Sequence, residues 1–181
     1  MIRAAKLDDI PYIVSLANKE SFSLGFIPKP AYEAAITGHK GGKRWSTTCN
    51  DKIFVCVENG DLVGFAMFSY GKFSKCNQIC IQQDARLIER GKALLSAAIA
   101  HGNLVGREDF ACGCADDLAS NIFWHQMGWV KVGERRGISH KNTWKESSKR
   151  KINIYRFQTS SLFETSFGLI IPKVGETIAF Y

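Results

Sequence analysis

The stretch from Asn77 to Ala100, NQICIQQDARLIERGKALLSAAIA, constrains the fold most, because an apolar strand-like run passes through a short basic turn straight into a helix-like one. Backbone N–H groups at the start of a helix have no partner within it and carry the positive end of its dipole, so such a junction is laid out to hold a phosphate. Within it, Arg86-Leu87-Ile88-Glu89-Arg90-Gly91 reads R-x-x-E-x-G and is followed by Lys92. Gly91 suits close backbone approach, while Arg90 and Lys92 add charge. A glycine between Arg and Lys also suits an ordinary turn, so the surrounding pattern has to decide.

The chain is 181 residues long, enough for one buried core and short for two domains at about 150 residues each. Apolar residues make up 45%, yet no run approaches the roughly 18 residues that cross a membrane. The opening Met1-Ile2-Arg3-Ala4-Ala5-Lys6-Leu7-Asp8-Asp9 lacks the apolar core of a signal peptide, which points to a cytoplasmic protein. Of the six cysteines, Cys56, Cys80, Cys112 and Cys114 sit in apolar strand-like runs, and Cys49 and Cys76 are placed at strand edges or loops. There is no C-x-x-C pair, and no His has ligand spacing to Cys112-x-Cys114, so reduced thiols and no metal are expected.

Hydrophobic periodicity lays out the elements in order. Ile2 to Ala5 reads as a strand, and Asp8 or Asp9 can cap a helix that has Pro11 in its first turn and Ile10, Ile13, Val14 and Ala17 at helical spacing. The piece Phe22 to Pro30 reads as a loop, Ala31 to Thr37 as a short helix, and Gly38 to Arg44 as a basic, glycine-rich loop in which His39 is read as solvated. Asn59-Gly60 between two apolar runs marks a hairpin of Ile53–Val57 with Leu62–Phe68. Then come a strand 78–82, a helix 91–101, a strand 109–114, a helix 117–127, and strands 129–133 and 152–157.

In this order the chain resembles the GCN5-related N-acetyltransferases, the GNAT superfamily. The residues that carry the resemblance are R-x-x-E-x-G at 86–91, against the family's Q/R-x-x-G-x-G/A, the opening Ile2-Arg3-Ala4-Ala5 with Asp8-Asp9-Ile10, and Asn121-Ile122-Phe123-Trp124-His125-Gln126-Met127-Gly128-Trp129, against F-Y-x-x-x-G-F. The resemblance spans residues 1–157 and implies an α/β (α+β) fold, a mixed central sheet with helices on both faces. Residues 158–181 are read as an extension that packs on this domain or on a partner.

The resemblance also implies the chemistry: an amine attacks the thioester of acetyl-CoA or another acyl-CoA, both held on one protein. The residues implied to contact the acyl-CoA are Ile81, Gln82, Arg86, Leu87, Ile88, Glu89, Arg90, Gly91, Lys92, Asn121 and Trp124, with a backbone N–H near Ile81 or Gln82 stabilising the thioester oxyanion. Two departures stand out. Glu89 replaces the loop's middle glycine and has to turn its carboxylate away from the pyrophosphate, and Trp124 stands where many members carry a tyrosine acid that indole cannot replace. Asp84 is the candidate general base; Asp116 and Asp117 read as helix caps, and His125 and Tyr155 as packing.

Charge is the clue to the acceptor. Between positions 131 and 156 lie nine lysines and arginines against two glutamates, so the chain's net charge of +7 resides there. With Trp144 among them, Lys149, Arg150 and Lys151 form a basic aromatic hairpin that suits a phosphate backbone and a stacked base, which makes DNA or RNA a candidate partner. The same run also reads as a solvated face. The sequence leaves open a homodimer, and a degenerate member that binds CoA or nucleic acid without turnover.

Overall fold

The computed structural model describes residues 1–38, 50–137 and 150–159. A 3-10 turn over Leu7–Asp9 precedes the first helix, and the elements in chain order are β1 (Ile2–Ala4), α1 (Ile10–Lys19), α2 (Ser21–Leu24), α3 (Lys29–Thr37), β2 (Asp51–Glu58), β3 (Asp61–Tyr70), β4 (Ser74–Ile81), α4 (Ile88–Leu104), β5 (Asp109–Ala115), α5 (Ser120–Gln126), β6 (Val130–Arg136) and β7 (Lys151–Gln158). They build one seven-stranded sheet in the order β1-β2-β3-β4-β5-β7-β6. Every neighbouring pair is antiparallel except β4 and β5, which are parallel and joined through α4. This is the mixed α/β sheet that the sequence order predicts.

Local chemistry explains the boundaries. Asn59 and Gly60 both take positive φ, the backbone that closes a tight hairpin between β2 and β3. Asp9 accepts the Lys6 N–H at 2.7 Å and the Arg3 guanidinium at 2.7 and 2.9 Å, which pins the start of α1 to β1. The buried positions of α4 are Gly91, Leu94, Leu95, Ala98, Ile99 and Gly102, a stripe at 3.6-residue spacing.

The helices cover both faces. Ile13, Leu16, Tyr32 and Ala35 from α1 and α3 pack with Ile53, Val55, Phe65, Met67 and Cys80 on one side. On the other, Leu94, Leu95, Ala98, Ile99 and Trp124 from α4 and α5 pack with Phe54, Phe68, Tyr70, Phe110, Cys112, Tyr155 and Phe157.

Several expectations shift. Helix α4 begins at Ile88, three residues before Gly91, so that glycine lies inside the first helical turn. Helix α5 begins at Ser120 with Ala119 at its N-cap position, which has no side-chain acceptor, and Asp117 lies before it in an ion pair with Arg150 at 2.9 Å. Of the segment read as a loop, Phe22 to Leu24 belong to the single helical turn α2, and Lys29 and Pro30 open α3. Cys76 is buried within β4. His39, Cys49, Trp144, Lys149 and residues 160–181 lie outside the described residues. Among those described, no helix is long and apolar enough to cross a membrane.

Candidate active site

The parallel pair β4–β5 stays in register only from Ser74 opposite Phe110 to Cys76 opposite Cys112. Beyond that rung the two strands part. Between them opens a cleft of about 450 Å³, walled by 76–81 of β4 and 112–114 of β5, with Arg86 to Ile88, Gly91, and the α5 residues Ser120, Phe123 and Trp124 around it. The irregularity in β4 lies at the same level: Met67 faces Gln78 and Phe68 faces Cys76, so Asn77 is the extra residue of a bulge.

The parted edge of β4 presents backbone donors. The Gln82 N–H donates to Val63 O at 2.8 Å, and Gly64 faces Ile81. Antiparallel ladders alternate, so the N–H groups of Ile79 and Ile81 point away from β3, to the side that β5 has left. An extended chain carrying amides and a carbonyl could pair with this edge as an eighth strand would.

At the far end of the cleft, the turn before α4 leaves the Ile88 and Glu89 N–H groups without helical partners, while Arg90 N bonds back to Leu87 O at 3.1 Å. Leu87 and Ile88 are exposed at the rim, and the Glu89 side chain is exposed as well. The loop's arginines are committed to the protein. Arg86 binds Glu20 at 2.7 Å and Ile81 O at 3.2 Å, and Arg90 reaches back to Ala85 O at 2.5 Å and to Glu58. Gly91 has a packing role that the sequence did not show: a Cβ there would stand 2.9 Å from the Phe123 ring. Its lack of a side chain lets α4 approach α5 at the floor of the cleft.

Of the other residues singled out in the sequence, Trp124 borders the cleft and the rest fall elsewhere. Asp84 lines a separate polar depression of about 530 Å³ with Tyr12, Glu58, Asp61, Gln82 and Arg90, on the hairpin side of the loop, and accepts from Gln82 at 3.2 Å. Asn121 donates to Ala115 O and Leu118 O, both at 2.7 Å, and accepts from Asn153 at 2.9 Å and Tyr155 at 2.8 Å. Its amide is used up in tying α5 to the sheet. Tyr155 is buried, with its hydroxyl also 3.3 Å from His125 Nε2. Trp124 is buried against Trp129, with 4.8 Å between ring centroids. Of the basic hairpin, Lys151 is exposed, whereas Arg150 donates to Asp117 and to Phe22 O at 2.7 Å and stacks on the Phe22 ring at 4.3 Å.

No carboxylate, histidine or tyrosine stands among the described residues that wall the cleft. Its thiols are neutral: burial raises Cys80 to about 12 and pushes Cys76, Cys112 and Cys114 up as well. Ser120 Oγ lies 3.2 Å from Cys114 Sγ, and the buried Gln78 accepts from Tyr32 at 2.6 Å and donates to Gly25 O at 3.1 Å. Gln78 was legible as a polar residue in an apolar strand, whereas Ser120 carried no signal of its own. Among the described residues no group of three or more His, Cys, Asp or Glu could hold a metal ion.

No family model matches the sequence, and no curated protein matches it. Solved structures do. The ribosomal-protein-S18-alanine N-acetyltransferase of Escherichia coli is similar over 99% of both chains, at 15% identity and a TM-score of 0.65. A spermidine/spermine N-acetyltransferase of Vibrio cholerae covers 92% of this chain and 96% of its own, at 13% identity and a TM-score of 0.66. An N-acetyltransferase of Staphylococcus aureus Mu50 covers 87% and 97%, at 18% identity and a TM-score of 0.59. The chain therefore has the fold of the GCN5-related N-acetyltransferases.

Proposed function

We propose that the protein is an acyl-CoA-dependent N-acetyltransferase. The reading rests on one arrangement: parallel strands that part after the Cys76–Cys112 rung, with the Ile79 and Ile81 N–H groups facing the gap and the open N–H groups of Ile88 and Glu89 at its end. The residues present fit the cosubstrate. The β4 edge suits the amides of a pantetheine arm, the turn into α4 suits a diphosphate, and the thioester supplies an activated acyl carbon.

The chain's own contribution is positioning and polarisation. An N–H of Ile79 or Ile81 is aimed to stabilise charge on the thioester oxygen; Gln82, the other residue implied, has its N–H spent on Val63. The cleft holds both reactants, and neutral thiols leave direct attack by the amine rather than an acyl-cysteine. With Asp84 outside the cleft and no ionisable base on its described walls, the ammonium proton leaves through water. The diphosphate is held by backbone, since Arg86 and Arg90 are engaged in ion pairs.

Acetyl-CoA is expected to raise the melting temperature by mass action, and thiol release should follow on adding an amine. No shift at millimolar acetyl-CoA overturns the reading. The bare walls and the buried Trp124 favour a second reading, a protein that binds CoA without turnover; a thermal shift with no thiol release from any amine selects it. An acceptor on DNA or RNA draws its support from the sequence of residues 131–156, from their positive charge and Trp144.

A further inference from the structure

Half of the sheet has one face that no described helix covers. Helices α1 to α3 pack over β2, β3 and β4, and α4 and α5 lie on the side of Cys112, Cys114, Tyr155 and Phe157. No described helix packs on the other face of β5, β7 and β6, which meets the cleft at Gly113. Directly opposed residues share a face, so Gly113, Ile154 and Gly133 form one row across it and Ala115, Ile152 and Arg135 the next. A Cβ added to Gly113 would stand 3.1 Å from Ile152 Cγ2 and 3.9 Å from Arg135 Nη2. The guanidinium thus lies at the edge of the cleft, over a position with no side chain.

Arg135 donates to Arg136 O at 3.2 Å, and no carboxylate among the described residues pairs with it. Glu134 points to the opposite face and binds Lys131 at 2.6 Å, Asp117 is held by Arg150, Glu20 by Arg86, and Asp109 accepts from Gln158 at 2.6 Å at the far end of β5. Asp116, beyond Ala115, forms no ion pair among the described residues. Lys75, beside Ala111, and Arg156, opposite Ala111 and Val130, share that face. Among the described residues this face is therefore positive, and the cleft walls carry no carboxylate to meet a cationic acceptor.

We propose that the acceptor amine carries an anionic group, a carboxylate or a phosphate close to the amine, and that Arg135 binds that group beside Gly113. This rests on the acyltransferase reading and adds the acceptor class to it. A planar guanidinium matches either oxyanion with two parallel hydrogen bonds, and with no side chain at position 113 nothing on β5 there stands between Arg135 and the edge of the parted strands. A polyamine meets like charges on the same path.

The test uses paired acceptors: glycine against glycinamide, O-phosphoethanolamine against ethanolamine, and spermidine as the cation. Each is scored by thiol release from acetyl-CoA and, independently of turnover, by the thermal shift it adds to the CoA-saturated protein. The member of at least one pair that bears the anionic group should lead the member that lacks it by roughly tenfold or more, and whether the glycine or the phosphoethanolamine pair does so separates carboxylate from phosphate. Arg135→Gln should abolish that preference, Arg135→Lys should restore part of it, and the shift produced by acetyl-CoA alone should stay unchanged in both. Equal use of both members, a lead for spermidine, no response to any of the five amines, or a preference that survives Arg135→Gln overturns the proposal. A chain that fails to bind acetyl-CoA at all overturns instead the reading beneath it.

Discussion

The Asn121 amide joins four partners across three elements: it donates to Ala115 O and Leu118 O and accepts from Asn153 and from the Tyr155 hydroxyl. By its place in the motif this asparagine was expected to touch acyl-CoA, and the structure shows its polar atoms turned inward. The sequence could not separate these roles, because an asparagine next to a helix start can serve a backbone or a ligand equally well. Removing it leaves buried donors without an acceptor, which costs more than the bond itself. Asn121→Ala should therefore lower stability by about 2 to 3 kcal/mol. Tyr155→Phe, which removes one hydroxyl from the same knot, should cost about 1 kcal/mol and leave thiol release with an amine intact. Urea titration at constant m, together with the thiol assay, checks both; a lost activity in Tyr155→Phe with stability unchanged would instead make Tyr155 part of the chemistry.

At the scale of elements, the contact between α4 and α5 controls the floor of the cleft. Gly91 sits one turn into α4, under the Phe123 ring, and the ring in turn packs on Trp124 at 5.3 Å. A Cβ at 2.9 Å from that ring forces the two helices apart, so Gly91→Ala should destabilise the protein and weaken the acetyl-CoA shift together. Trimming the ring should relieve the clash. The double variant Gly91→Ala/Phe123→Ala is expected to recover at least 0.5 kcal/mol relative to the sum of the single changes, the scale at which contacting residues couple. Additive losses in thermal or urea melts would show that Gly91 matters through the loop alone. The glycine was legible in the motif, and its partner was not, since positions 91 and 123 are brought together only by packing.

On the scale of the whole molecule, charge is distributed by the sheet. Arg150 clasps α2 and the turn before α5 through Phe22 and Asp117, while Lys151 is exposed and free of ion pairs among the described residues. If the basic hairpin binds nucleic acid, Lys151→Ala should flatten the slope of log affinity against log salt by roughly 0.7 to 0.9, and Arg150→Ala should leave the slope near that of the parent. Filter binding across a salt series measures both, and an unchanged slope in Lys151→Ala removes that residue from any phosphate contact.

The sequence by itself determined the order of elements, the Asn59-Gly60 hairpin, the strand-turn-helix at the centre and the amphipathic stripe of α4, because each depends on residues close together in the chain and on the periods of strand and helix. Tertiary structure decided where the chemistry lies. The cleft exists because β4 and β5 part after the rung between Cys76 and Cys112, the last of three pairs that join positions far apart in sequence. The same contacts turned the Ile79 and Ile81 N–H groups outward, moved Asp84 to another depression and bound Arg86 and Arg90 to Glu20 and Glu58. They also set Arg135 beside Gly113, since only strand register can bring a residue of β6 to the edge of a gap that opens at β5.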